Sequence, residues 1–306
     1  MLNRAVVSLL PLVPRPLVWR ISRRYIAGTR LEDAVTCVKN LNANGMSATL
    51  DVLGEDTTDP DQALAGRDLY LRSLEAIEKH HLACNISVKL SQMGLRFDPE
   101  LCRSVMRELV TAAGEQRNFV RIDMEDSSVT QVTLDIYREL RKSSKAVGTV
   151  VQAYLHRTPE DVAKLMAEGP TYLRLCKGIY VEPPAAAIQD REGIRAAYLR
   201  ILRQLIEGGA VRIGIATHDR PLIDGALALI REYDLSMERY EFQMLLGVTE
   251  RIRSELVAAG HPLRVYVPFG EEWYAYSSRR LRENPKIAGH VVRNLFRSRG
   301  EPDPAH

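Results

Sequence analysis

The feature that most constrains this chain is a repeated unit, a short β-branched run followed by a longer helical pattern, met eight times in succession. After a helix from Leu31 to about Asn44, stopped by Gly45, residues 46–53 read as the first strand, and Thr57-Thr-Asp-Pro60 caps a helix running to about His80. Residues 85–91 are followed by a helix from about Pro99 to Gln116, and residues 119–125 by one from about Ser128 to Ser143. Residues 149–154 precede Thr158-Pro-Glu-Asp161, a capped helix start with proline in first position. Residues 173–177 lead through a loop with Pro183 and Pro184 to a helix at about Arg191 to Glu207, and residues 211–217 lead to one near Pro221. Residues 240–245 precede a helix from Thr249, and residues 265–267 one from Glu271. Eight such units without a linker or a break in composition predict a parallel (βα)8 barrel, a TIM-type α/β fold in one domain. A doubly wound open sheet is the alternative, disfavoured by the absence of an early GxGxxG.

Alternation within the strands says what such a barrel would hold. Asn85, Ser87, Lys89 and Ser91 share one face and Ile86, Val88 and Leu90 the other; Arg121, Asp123 and Glu125 separate likewise from Val120, Ile122 and Met124. Helices cover the apolar face, so the polar one looks inward, and its last members reach the C-terminal mouth where barrel enzymes place their chemistry. Lys89, Asp123, Gln152, Arg174, Gln243 and Tyr266 are thereby predicted to converge on one cavity. At 306 residues, 45% hydrophobic and 26% charged, the chain can bury a real core. Its net charge of +3 is scattered rather than blocked, which argues against a nucleic-acid partner. Four widely spaced cysteines without a CxxC argue against a zinc site or a disulfide scaffold and for a reducing, cytoplasmic setting.

Residues 1–30 form a separate segment before the barrel of residues 31–306. Its apolar start is broken by Pro11, Pro14 and Pro16, short of the roughly 20 residues a spanning helix needs. Arg15, Arg20, Arg23 and Arg24 follow, and no small-x-small cleavage pattern is present. Apolar residues leading into basic ones can rest on an anionic membrane surface or pack on the barrel. At the other end, Arg279 and Arg280 on the last helix could grip a carboxylate in paired hydrogen bonds, or Arg279 could simply pair with Glu283 in solvent.

Taken in order, Ser87-Val-Lys-Leu-Ser91, Arg121-Ile-Asp-Met-Glu125, Val151-Gln-Ala-Tyr154, Leu173-Arg-Leu-Cys-Lys-Gly-Ile-Tyr180, Ala216-Thr-His218, Glu241-Phe-Gln-Met-Leu245, Tyr266-Val-Pro-Phe-Gly270 and Arg279-Arg-Leu-Arg-Glu-Asn284 resemble the proline dehydrogenase family. The resemblance implies an FAD-dependent barrel that oxidises L-proline to Δ1-pyrroline-5-carboxylate and passes the electrons to a membrane quinone. A peripheral seat on the inner face of the cytoplasmic membrane would follow, with a separate pyrroline-5-carboxylate dehydrogenase taking the product. It implies that Lys89, Arg279 and Arg280 hold the proline carboxylate, that Tyr266 packs against its ring, and that Leu245 walls the pocket. On the cofactor side it implies Arg174 beside the reactive flavin edge and Gln152 on the ring system. Lys177 with Gly178 would meet the pyrophosphate, and Tyr180, Thr217, His218 and Glu283 the rest, with Asp123 as an orienting partner. After Tyr180 comes Val181, where some members carry a second aromatic residue. The competing readings are a Schiff-base aldolase or lyase using Lys89, which needs a depressed lysine pKa, and a non-catalytic carboxylate-binding regulator at the membrane. A Lys89 paired structurally with Asp123 is the plain alternative to a binding role.

Overall fold

Parallel strands, each unable to cover its own outer face, close on one another into a barrel. The structure, a computed structural model, describes residues 18, 19, 22–274, 276 and 277. Helix α1 (Leu31–Ala43) leads to β1 (Ser47–Val52), and the chain then alternates through α2 (Pro60–Lys79), β2 (Cys84–Val88), α3 (Pro99–Glu115) and β3 (Val120–Ile122). It continues with α4 (Thr130–Ser143), β4 (Val147–Gln152), α5 (Thr158–Ala167), β5 (Tyr172–Cys176), α6 (Arg191–Glu207) and β6 (Arg212–Ala216). Helix α7 (Arg220–Glu232), β7 (Tyr240–Leu245), α8 (Glu250–Ala258) and β8 (Leu263–Phe269) complete the order. The strands pair in sequence order and β8 closes on β1, with Ser47 opposite Arg264 and Val52 opposite Phe269. The fold is the expected (βα)8 barrel.

Its core lies between strands and helices, where Leu50, Ile86, Val88, Ile122, Leu173, Ile213, Phe242 and Val265 are fully enclosed with helix residues such as Tyr70, Leu109 and Leu202. The inside of the barrel is instead polar, and such long side chains need room. Two strand glycines supply it: a Cβ at Gly148 would lie 2.5 Å from Arg121 Nη1, and one at Gly214 2.6 Å from Gln243 Nε2.

Several boundaries differ from expectation. Strand β2 ends at Val88, because Gln92 and Met93 donate backward to Lys89 and Leu90 in turns, so Lys89 and Ser91 belong to the loop. Strand β3 stops at Ile122 and places Asp123 and Glu125 after it. Thr158 does not cap α5: that helix has no side-chain cap, and the Thr158 hydroxyl donates back to the Gln152 carbonyl at 2.6 Å. Where capping was legible, as at Asp59 before Pro60, the carboxylate accepts from the Asp61 N–H at 2.8 Å. All four cysteines are free thiols.

Val18, Ser22 and Ile26 are buried, and the Ala27 N–H donates to the Pro268 carbonyl at 2.9 Å, so this stretch of the N-terminal segment packs on the barrel mouth. No helix among the described residues is long and apolar enough to cross a membrane. Arg279, Arg280 and Glu283 lie outside the described residues.

Candidate active site

A cavity of about 1010 Å³ opens at the C-terminal mouth, within reach of Lys89, Asp123, Gln152, Arg174, Gln243 and Tyr266. These are the residues that strand alternation sends to one place. The rim adds Lys177, Gly178, Tyr180, Thr217, His218 and Leu245. Every expected site residue among those described is therefore on this one cavity.

Its floor is a connected polar network. Asp123 is the hub: Oδ1 accepts from Arg174 Nη1 at 2.6 Å and from Ser87 Oγ at 2.7 Å, and Oδ2 accepts from the Tyr266 hydroxyl at 2.7 Å. The Arg174 guanidinium carbon also lies 5.4 Å from the centre of the Tyr266 ring, a cation–π contact that keeps the aromatic face beside the cation. Burial and the nearby Asp123 charge push the Tyr266 hydroxyl well above its ordinary pKa, so it acts as a donor and not as a phenolate. Gln152 donates from Nε2 to the Glu125 carbonyl at 2.8 Å, while the Glu125 carboxylate is taken by the Ser91 N–H at 2.9 Å and the Ser91 hydroxyl.

Lys89 does not pair with Asp123. Its ammonium donates to Asp51 Oδ1 at 2.8 Å, and Asp51 is wholly enclosed. Burial favours the neutral amine, but the charges of Asp51 and Asp123 outweigh it and hold Lys89 above its ordinary pKa. A lysine so held is a poor amine nucleophile, which removes the condition that the Schiff-base reading required. Asp51 was missed by sequence reasoning, although Thr49 and Asp51 alternate with Ala48, Leu50 and Val52 in the same manner as the strands that were recognised.

The rim is cationic and braced. Lys177 Nζ lies 3.3 Å from Asp219 Oδ2, and Arg195 grips the same carboxylate from Nε at 3.0 Å and Nη2 at 2.7 Å. The Arg195 hydrogen bonds, against some burial, hold Asp219 below the usual carboxylate range. Asp219 stands at the start of α7 yet caps nothing with its side chain, a second residue that sequence reasoning missed beside Thr217 and His218. Gly178 takes φ +107, and a Cβ there would lie 2.1 Å from Tyr154 Cδ1, so the loop passes the tyrosine ring only as glycine. The Tyr154 hydroxyl then donates to the Tyr180 carbonyl at 3.2 Å. His218 uses both ring nitrogens: Nε2 accepts from the Leu245 N–H at 3.0 Å, which leaves the proton on Nδ1, 2.8 Å from Thr249 Oγ1.

The model of the proline dehydrogenase family matches residues 34–293. The chain belongs to the proline dehydrogenase family. It is thus an oxidoreductase, and the family agrees with the resemblance carried by the strand ends. Proline dehydrogenase 1 of Bacillus subtilis (strain 168) is 36% identical over 90% of this chain and 91% of its own. Proline dehydrogenase of Deinococcus radiodurans is 33% identical over 92% of each. Among solved structures, proline utilization A from Bdellovibrio bacteriovorus, inactivated by N-propargylglycine, superposes with a TM-score of 0.80 at 26% identity. That match covers 92% of this chain but 34% of the larger protein.

Proposed function

We propose that this member of the family oxidises L-proline to Δ1-pyrroline-5-carboxylate with FAD as its cofactor and a membrane quinone as the final electron acceptor. The observation that carries the reading is the cavity itself, in which a buried ammonium and a buried guanidinium face a space larger than an amino acid needs. The residues present fit a flavin nucleotide: an amide at Gln152, the cations Lys177 and Arg191 on the rim, and a cavity of about 1010 Å³ to hold the ring system. When bound, FAD supplies the hydride acceptor.

On this reading Lys89 takes the substrate carboxylate together with Arg279 and Arg280, which are assigned on the family resemblance. Tyr266 and Leu245 bound the ring, so the carbon beside nitrogen is presented in one orientation. The bulk of Tyr266 also stands where a hydroxyl on the ring would go, which favours proline over hydroxyproline. The substrate nitrogen must shed its proton for its lone pair to assist the loss of hydride, and Lys89, kept cationic, binds and does not compete for that proton. Arg174, Gln152, Lys177, Gly178, Tyr180, Thr217, His218 and Glu283 are the cofactor's partners, and Asp123 orients Arg174 and Tyr266.

A visible spectrum tests this. The purified protein, reconstituted with FAD if necessary, is expected to absorb near ~450 nm and to bleach when L-proline is added without oxygen. A protein that takes up no flavin overturns the reading, and one that stays yellow with proline overturns the substrate. Arg279→Ala and Arg280→Ala are each expected to raise the proline KM at least about tenfold while leaving FAD bound. Loss of FAD instead would show the pair to be misassigned.

A further inference from the structure

Beneath the cavity the buried side chains form one line from the barrel floor to Arg174, and Gln243 is its middle member. Gln243 Oε1 accepts from Arg174 Nε at 2.5 Å, and Nε2 donates to Glu241 Oε1 at 2.6 Å. Glu241 in turn accepts from Arg264 Nε at 2.6 Å, from Arg264 Nη2 at 3.2 Å and from Arg212 Nη2 at 2.9 Å. A guanidinium has nothing to accept with and a carboxylate nothing to donate, so the amide fits only with its oxygen toward Arg174 and its nitrogen toward Glu241. The barrel makes room for it at Gly214, where any Cβ would press on the Gln243 amide.

Arg174 is consequently gripped on two edges, Nε by Gln243 and Nη1 by Asp123, which fixes the plane of the guanidinium. The amide also keeps a second carboxylate, that of Glu241, away from Arg174, whose Nη1 already meets Asp123. Glu241 is held ionised at about 2 by Arg264 and Arg212 despite its burial, yet the neutral Gln243 stands between it and the cavity.

We propose that Gln243 is a positioning residue that sets the orientation of Arg174 and preserves the positive field Arg174 presents to the cofactor. This rests on the cavity being the flavin site. A positive group at that site favours the electron-rich reduced ring, so a second carboxylate placed against Arg174, beside that of Asp123, lowers the reduction potential.

The test compares the full-length FAD-loaded wild type with Gln243→Leu and with the double variant Gln243→Glu/Glu241→Gln. The double variant exchanges carboxylate and amide along the same line: the carboxylate at position 243 still accepts from Arg174 Nε and from an amide N–H at position 241, while Arg264 Nε, which shares Glu241 Oε1 in the wild type, loses that acceptor. It is expected to retain flavin and to shift the reduction equilibrium at least about tenfold toward oxidised flavin, a fall of about 30 mV for a two-electron couple. Gln243→Leu, which releases one edge of Arg174, is expected to lower kcat about tenfold with little change in proline KM. A double variant that binds FAD at the wild-type potential overturns the proposal, and because it keeps an acceptor on Arg174 Nε it decides the matter even where Gln243→Leu fails to fold. A wild type that neither takes up FAD nor bleaches with proline overturns the functional reading and the proposal together. A bleaching wild type beside an unmoved double variant overturns the proposal alone.

Discussion

Lys89 keeps its charge inside the barrel because Asp51, itself wholly enclosed, meets it at 2.8 Å. Removing one member of a buried ion pair strands the other, at a cost of about 3–5 kcal/mol. Asp51→Asn is therefore expected to lower stability by that amount in urea unfolding and to raise the proline KM about tenfold. Lys89's pKa is raised on folding, so its contribution is full below the unfolded lysine value of about 10.4 and lost as pH climbs through the folded one. Thermal melts of the wild type should fall on that alkaline side, and Asp51→Asn should flatten the fall. Glu241 acts in the opposite direction. Its folded pKa of about 2 lies below the ordinary value of 4.5, so its contribution stands above pH ~4.5 and is lost as pH drops through about 2. That contribution is on the order of 3 kcal/mol at neutral pH. In melts followed down to pH 2, Glu241→Gln should destabilise the protein at pH 7 and show less further loss with acid than the wild type.

At the level of elements, the loop from β5 to α6 is the part of the rim most dependent on one residue. Gly178→Ala puts a methyl group into the Tyr154 ring and asks alanine for φ +107, so the segment from Lys177 to Tyr180 must move. It is expected to cut the flavin-to-protein ratio several-fold while shifting the melting temperature by only a few degrees, since the strand pairings beneath are untouched. Strand and helix order was legible because the period switches from two to 3.6 in every unit, and the convergence of Lys89, Asp123, Gln152, Arg174, Gln243 and Tyr266 followed from that period. Where strands stop was not legible. The same alternation runs through Lys89 and Ser91, but the chain turns there, since the backbone bonds of residues 92 and 93 lead back to the loop and not across to a neighbouring strand. Pairing was hidden too: alternation puts Asp51 and Asp123 on the same inner surface, and only the closure of β1 against β2 and β8 decides which one faces Lys89.

For the molecule as a whole, the open question was whether the segment before residue 31 docks on a membrane or on the barrel, a matter its composition left balanced. Over its described part it follows the end of β8, with Ala27 bonded to Pro268 and Gly270 to Gly28, and Ile26 packs with Leu53 and Tyr276. Tyr276 also lines the cavity, so this packing connects the segment to the site. The chain's two tryptophans report on the contact, since the Trp19 and Trp273 rings meet edge-on with centroids 4.7 Å apart. If the segment is an integral part of the barrel's cooperative unit, intrinsic fluorescence and far-ultraviolet circular dichroism should change at the same urea concentration. Trp19→Ala should then lower that common midpoint without splitting the transition. A tryptophan signal that moves at lower urea, with the helical signal intact, would mean that the segment undocks on its own. The described residues 18, 19 and 22–26 would then be able to leave their barrel contact for a membrane surface while the (βα)8 body stays folded.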